Sequence, residues 1–323
     1  MAFGLNSASK PEASNQALDA AINAVGKVLL GKEHQIRLAV CCLLAKGHIL
    51  IEDLPGVGKT TLAQALVKVL GLDFQRVQFT SDLLPSDILG FSIFHREKNG
   101  FVFKQGPVFT QCLLVDEINR ASPKTQSALL EAMAEGQVTI EGRSRALPQP
   151  FFVIATQNPL FQSGTFPLPE SQLDRFLMSI SMGYPDARSE REILIGGDPR
   201  QHLEAIPSLL DKTSLELCQQ QVQAVQARDA VISYLQRLVE FSRNDGEIQL
   251  GLSTRAALAI LDCAKAWALL SGRSHVMPED IQEVFLPVVA HRLQAANSEL
   301  EGGAHRQREA LAQHILNAVP VVV

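Results

Sequence analysis

Residues 52–61 read EDLPGVGKTT. The closing Gly58-Lys59-Thr60 is how a phosphate-binding loop, G-x-x-x-x-G-K-[ST], ends, yet Asp53 stands where the first glycine of that pattern belongs. Three matching residues also occur in turns that merely cap a helix, so the surroundings decide. The apolar run His48-Ile49-Leu50-Ile51 leads straight into the stretch, and residues 60–70 continue with a helical pattern. That is the strand, loop and helix order a phosphate loop requires. Backbone N–H groups at the helix start, with the helix dipole behind them, would then cradle phosphate oxygens. The candidate cradle is Leu54, Pro55, Gly56, Val57, Gly58, Lys59, Thr60 and Thr61. Gly56 and Gly58 permit close backbone approach, Lys59 would reach the β and γ phosphates, and the Thr60 hydroxyl would bind Mg²⁺.

Working outward, two more short apolar runs follow, Cys112-Leu-Leu-Val115 and Phe151-Phe-Val-Ile-Ala155, each ending in polar residues. Continuous apolar runs are the mark of strands buried on both faces of a parallel sheet. With helical stretches at about 60–70 and 122–135 between them, the order is β-α-β-α-β, a doubly wound α/β layer that binds ligands at the carboxyl ends of its strands. The second run ends in Asp116-Glu117: Asp116 can hold the magnesium, and Glu117 can orient or deprotonate an attacking water. The third ends in Thr-Gln-Asn158-Pro159, where the Asn158 amide could meet the γ-phosphate or the water, or simply begin a turn.

Two hairpins interrupt this layer, at residues 91–103 around Lys98-Asn99-Gly100 and at 136–147 around Glu141-Gly142. After residue 186 no strand signal remains, and helical patterns occupy about 187–195, 213–243, 253–271 and 278–296. Trp267 lies among Ala264, Ala268 and Leu261 at helical spacing, which reads as helical core. Residues 299–309 are a mixed-charge run, most simply a solvated helix or linker, and the apolar tail NAVPVVV reads as strand or coil packed on the body.

Composition narrows the function. With 46% apolar and 20% charged residues the chain is an ordinary globular one, and its net charge of −5 without a dense Lys/Arg run disfavours non-specific nucleic-acid binding. The five cysteines are scattered without C-x-x-C pairs, so no zinc site or disulfide framework is indicated and a reducing cytoplasm fits. No signal peptide or membrane span is expected.

GVGKT, LLVDEINRA, ATQNP and LPESQLDRF, in this order and spacing, closely resemble AAA+ ATPases and, within them, the MoxR group; GLSTRAAL, AKAWALLSGR and VMPED resemble the same group's C-terminal part. The likeness covers about residues 20–295. It implies an AAA+ P-loop NTPase core, an α/β fold with a central parallel sheet and hairpin insertions, over residues 1–195, followed by a smaller all-α lid over 196–323. Residues 1–15 are expected to be disordered at its start.

By the same resemblance the chain is expected to be a ring-forming ATPase, usually a hexamer. It would use ATP and Mg²⁺ to remodel, activate or mature client proteins, often with a von Willebrand factor A domain partner. Carried over by motif, Asn158 is sensor 1, Arg175 in Leu-Asp-Arg-Phe the arginine finger and Arg255 sensor 2. Ser253-Thr-Arg255 departs from the family's usual Ser-Pro-Arg but keeps the arginine. Arg120 could face a neighbouring subunit or make a surface salt bridge. A nucleic-acid motor or loader on the same core is the alternative reading; a nucleotide-binding scaffold without turnover is disfavoured because Lys59, Asp116, Glu117 and Arg175 are all present.

Asp53 is then tolerable, since Gly56, Gly58 and the helix start do the cradling. Asp53→Gly is expected to bind ATP about as well as the parent chain and Lys59→Ala is not, which nucleotide titration would check.

Overall fold

The computed structural model describes residues 10–53, 56–97, 99–157, 164–296 and 304–321. Helix α1 (Lys10–Gly26) begins inside the stretch expected to be disordered; the rest of that expectation lies outside the described residues. Leu18, Ile22 and Val25, spaced four and three residues apart, are buried on α1. Helix α2 (Glu33–Leu44) follows, then strand β1 (Ile49–Glu52) and helix α3 (Lys59–Leu70). The glycines Gly58 and Gly71 bracket α3 in left-handed conformations, so its start and stop are both written in the sequence.

Strand β2 (Phe74–Gln78) and the short helix α4 (Pro85–Leu89) lead to the first hairpin, β3 (Gly90–His95) with β4 (Gly100–Gln105). Strand β5 (Cys112–Asp116) and helix α5 (Pro123–Glu135) come next. The second hairpin, β6 (Gln137–Ile140) with β7 (Arg143–Ala146), turns on Glu141 and Gly142, both at positive φ as a two-residue turn of matching twist demands. Strand β8 (Phe152–Gln157), helix α6 (Glu170–Leu173) and strand β9 (Met178–Ile180) complete the α/β part.

The sheet is parallel, in the order β2-β5-β8-β1-β9. Every residue of β5 and β8 is buried, and full burial of each Leu, Ile or Val there is worth about 1.5–3 kcal/mol. Strands β2 and β9, at the two edges, were not expected. FQRVQ is polar and mostly exposed, and Met-Ser-Ile is too short to stand out as an apolar run.

Beyond β9, α7 (Ala187–Gly196) leads through a 3₁₀ turn (Pro199–Ala205) to α8 (Lys212–Ala224) and α9 (Asp229–Asn244). The helical stretch expected over 213–243 is therefore two helices, broken at residues 225–228. Strand β10 (Ile248–Leu250), α10 (Thr254–Leu270), α11 (Pro278–Val289), strand β11 (Gln294–Ala295) and α12 (Ala304–Ala318) follow. The lid is helical as expected, with one short antiparallel pair, β10-β11, added among the described residues; strands this short carry no periodicity to read. Residues 304–309 of the mixed-charge run open α12 and the rest of the run lies outside the described residues; α12 buries Leu311, Ala312 and Ile315 and takes in Asn317 and Ala318 of the tail expected to be strand or coil, after which Val319 is buried. Trp267 is lid core as expected, with the Arg37 guanidinium 5.1 Å from its ring centre.

One side chain pins the lid to the α/β core. Arg292, buried at the end of α11, donates from Nε to Asp174 Oδ1 (2.8 Å), from Nη2 to Phe176 O (2.9 Å) and from Nη1 to Leu177 O (3.2 Å) and Val288 O. A buried guanidinium is tolerable because these acceptors replace its water.

Just before β1, His48 lies between strand and helix. Its Nδ1 accepts from Val153 N (3.1 Å), which leaves the proton on Nε2 facing Met133 O at 3.3 Å. Burial pushes its pKa from 6.5 down to about 4. The unfolded chain therefore takes up a proton that the folded one refuses. Stability is full above pH 6.5 and falls by about 1.4 kcal/mol per pH unit as pH drops towards about 4, with the buried His291 acting in the same sense. Urea unfolding at about pH 7.5 and about pH 5.5 should show this loss, and His48→Gln should flatten it.

Candidate nucleotide site

The loop at the end of β1 meets the requirements of an anion cradle. Gly56 (φ +88°) and Gly58 (φ +96°) adopt a backbone that L side chains rarely enter, and Gly58 forms the α3 N-cap with no side chain capping the helix. A Cβ at Gly58 would lie 2.8 Å from Leu29 Cδ1, whereas one at Gly56 would meet nothing within 4 Å. The cradle is thus closed beneath by Leu29 and open at Gly56. Lys59 is buried and donates from Nζ to Asp53 O at 2.7 Å. Burial lowers its pKa, and the carboxylates of Asp53, Asp116 and Glu117 oppose that shift. Val57 and Thr60 are half-buried and Thr61 is buried; Leu54 and Pro55 lie outside the described residues.

The acidic pair arrives from the neighbouring strand tips. Asp116 ends β5, buried, with Oδ2 taking a 2.7 Å bond from Arg76 Nε and Oδ1 lying 3.4 Å from Thr156 Oγ1 on β8. Glu117 sits at φ +58°, a left-handed turn that swings it off the strand line, and its N–H donates to Thr156 Oγ1 (2.9 Å). Its carboxylate accepts from Gln78 Nε2 (2.7 Å) and Arg120 Nη1 (2.9 Å). Arg120 therefore makes an ion pair within its own chain. On β8 the Gln157 Oε1 atom is buried without a partner among the described residues. Asn158 lies outside them.

The remaining two expected residues stand at the lid junction. Arg175 is exposed and donates from Nη1 to Leu130 O (3.1 Å) within α5. Arg255, mostly exposed at the start of α10, pairs with Asp174 Oδ2 at 2.9 Å, on the carboxylate that also holds Arg292. The structure thus gathers the loop, Asp116 and Glu117 at the ends of β1 and β5, the two strands that flank β8, and Arg175 and Arg255 around Asp174.

Comparison with known proteins agrees with this geometry. The profile of the ATPase family associated with various cellular activities (AAA) matches residues 48–178, and that of the AAA lid domain matches 240–315. Chaperone MoxR1 of Mycobacterium tuberculosis (strain ATCC 25618 / H37Rv) is 40% identical over 287 residues, 85% of this chain and 75% of that protein. The chain belongs to the MoxR family of AAA+ ATPases. Its similarity to YeaC of Bacillus subtilis (strain 168), an uncharacterised protein, is 44% identity over 307 residues, 95% of each chain. The crystal structure of a candidate ATPase from Cytophaga hutchinsonii ATCC 33406 superposes with a TM-score of 0.86 at 36% identity, covering 97% of both chains.

In this AAA+ chain the groups at the strand tips fit a magnesium nucleotide. The first turn of α3 has no side-chain cap, hard oxygens come from Thr60 and Asp116, and the orphaned Gln157 Oε1 is a buried acceptor at the same sheet edge. Sequence reasoning missed Arg76, Gln78 and Thr156, which hold Asp116 and Glu117. Their signal was absent: two lie on the polar edge strand β2 and the third is a threonine in an apolar run. It also read Asp53 as a mere tolerance. The Asp53 Oδ2 atom accepts from Ser181 Oγ (3.0 Å) and Gly183 N (2.5 Å), so this side chain is built into the fold.

Proposed function

We propose that this chain hydrolyses ATP in a ring and uses the work to remodel, activate or mature client proteins, with a von Willebrand factor A domain protein as partner. The observation that carries the reading is the meeting of an uncapped glycine-turned helix start, a buried lysine and two carboxylates at the ends of β1 and β5. The chaperone name of the mycobacterial relative supports a protein client.

In this mechanism residues 56–61 bind the phosphates through backbone N–H groups, and Lys59 exchanges its Asp53 carbonyl for a phosphate oxygen. Thr60 and Asp116 would hold the magnesium, which when bound neutralises charge on the β and γ phosphates. Glu117 orients the attacking water and takes its proton, giving ADP and phosphate. Gln78 and Arg120 keep that carboxylate in place until the water arrives. Asn158, as sensor 1, would contact the γ-phosphate or the water, and Arg255, as sensor 2, would leave Asp174 for the phosphates.

Arg175 belongs to the neighbour's site. Its exposure and its position beside the lid support a finger offered outward to the next subunit, and a hexamer closes that arrangement into a ring. The exposed Leu194 and Ile195 on α7 support a further subunit contact.

The hairpins favour a second reading. Phe91, Phe94 and Phe101 are exposed on β3-β4, Arg145 stacks on Phe103 at 3.9 Å, and Ser92 bonds Glu141 across the two hairpins (2.7 Å). Aromatic faces beside Arg96, Lys104 and Arg143 suit an unfolded polypeptide but also a single nucleic-acid strand. The overall charge of −5 favours the polypeptide.

Glu117→Gln should bind ATP without hydrolysing it, and used as bait should retain a protein with a metal-binding von Willebrand factor A domain. Recovery of nucleic acid alone, with salt-dependent binding of a DNA oligonucleotide, would move the assignment to a motor or loader. Arg175→Ala should leave folding and ATP binding intact while turnover falls by roughly 10³ to 10⁵; near-parental turnover would remove the finger role.

A further inference from the structure

Asp53 occupies a junction that no motif describes. Its backbone N–H donates to Gln157 O (3.3 Å) at the end of β8, its carbonyl accepts from the Lys59 ammonium (2.7 Å), and its carboxylate accepts from Ser181 Oγ (3.0 Å) and Gly183 N (2.5 Å). Residues 181–183 follow β9 directly and run into Tyr184, Pro185 and Asp186, the N-cap of α7, from which the chain passes into the lid. One residue therefore touches the strand that carries the sensor, the phosphate-binding lysine and the connection to the lid.

The surroundings hold that connection closely. The Lys32 ammonium donates to Tyr184 O at 2.7 Å, and Asp186 caps α7 through bonds to Arg188 N and Ser189 N (2.9 Å each). Gly31, at φ +68°, lets the α1-α2 connection press against α7: a Cβ there would lie 2.4 Å from Ser189 Oγ and 3.0 Å from Asp186 Oδ2. Lys32 is buried, with Asp53 and Asp186 the carboxylates that most oppose the loss of its charge. Movement of residues 181–189 is thus constrained on one side by residues 31–32 and on the other by the Asp53 carboxylate.

We propose that Asp53 is a positioning residue that transmits nucleotide occupancy from Lys59 to the lid connection at residues 181–189. The proposal rests on the ATPase reading above. When a phosphate draws the Lys59 ammonium away from the Asp53 carbonyl, the peptide at Asp53 relaxes, and its short side chain, held at its end by two hydrogen bonds, carries the change to Ser181 and Gly183. A glycine at this position, which the phosphate-loop pattern prefers, would cradle phosphate equally well and leave the lid connection unlinked.

Hydrogen exchange in the full chain, with and without a non-hydrolysable ATP analogue, tests this. In the parent chain, nucleotide should change exchange at residues 56–60 and at 181–189 together. In Asp53→Gly only residues 56–60 should respond, with analogue affinity within about twofold of the parent and kcat lowered at least about tenfold at similar KM. Asp53→Asn keeps a carbonyl oxygen that can accept from Ser181 and Gly183, and should restore the response at 181–189. A merely structural role would raise exchange at 181–189 in Asp53→Gly without removing its response to nucleotide; that result overturns the proposal. So does a parent chain that responds at 56–60 but not at 181–189. Absence of any response at 56–60 in the parent would instead strike the nucleotide reading itself, and a thermal midpoint for each variant separates both outcomes from misfolding.

Discussion

Three neighbouring parallel strands, β5, β8 and β1, are held in a register that ends them side by side, and the chemistry of the chain depends on that. Val115 pairs with Ala155, and Glu52 with Gln157, so the residues that follow each strand emerge at one edge. Both faces of these strands are buried, which leaves polar side chains no position except the ends. Asp116, Glu117, Gln157 and Asp53 accordingly converge from separate parts of the sequence. Loosening any one strand from its neighbours would displace a carboxylate or the phosphate loop by the whole rise of a residue, about 3.3 Å.

The groups gathered at that edge and at the lid junction already have protein partners. Lys59 holds the Asp53 carbonyl, Glu117 is held by Gln78 and Arg120, and Arg255 is paired with Asp174. The bond from the Lys59 ammonium to a peptide carbonyl already involves one charged group and contributes about 1.5–3 kcal/mol net; a phosphate, charged as well, would ionise both partners and so be the stronger acceptor. The exposed Arg255 pair is worth about 0–1 kcal/mol and is given up at little cost. In the proposed mechanism such contacts would hold the side chains near their places of action without binding them too firmly for a nucleotide to displace.

Much of this was legible in the sequence because it was written in local signals. The strand, loop and helix around Gly58-Lys59-Thr60, the acidic end of β5 and the Glu141-Gly142 turn each follow from a few consecutive residues. What escaped was set by distant contacts. Strand β2 is polar because it is an edge, yet the sheet still uses its backbone, and from it Arg76 and Gln78 reach the two carboxylates. Asp53 looked like a blemish in a motif because its partners, Ser181 and Gly183, lie far along the chain. The break at residues 225–228 and the β10-β11 pair carry too few residues for any period to register.

The buried guanidinium of Arg292 has a consequence for assembly. It grips Asp174 and the carbonyl of Phe176, the two residues that flank Arg175 in the chain. A lid that shifts must carry those flanks with it, and the outward-facing arginine between them moves too. In a closed ring each subunit's lid would then govern what its neighbour's nucleotide encounters. In such a ring the coupling would run in one direction around the circle, so that subunits would take turns instead of firing together.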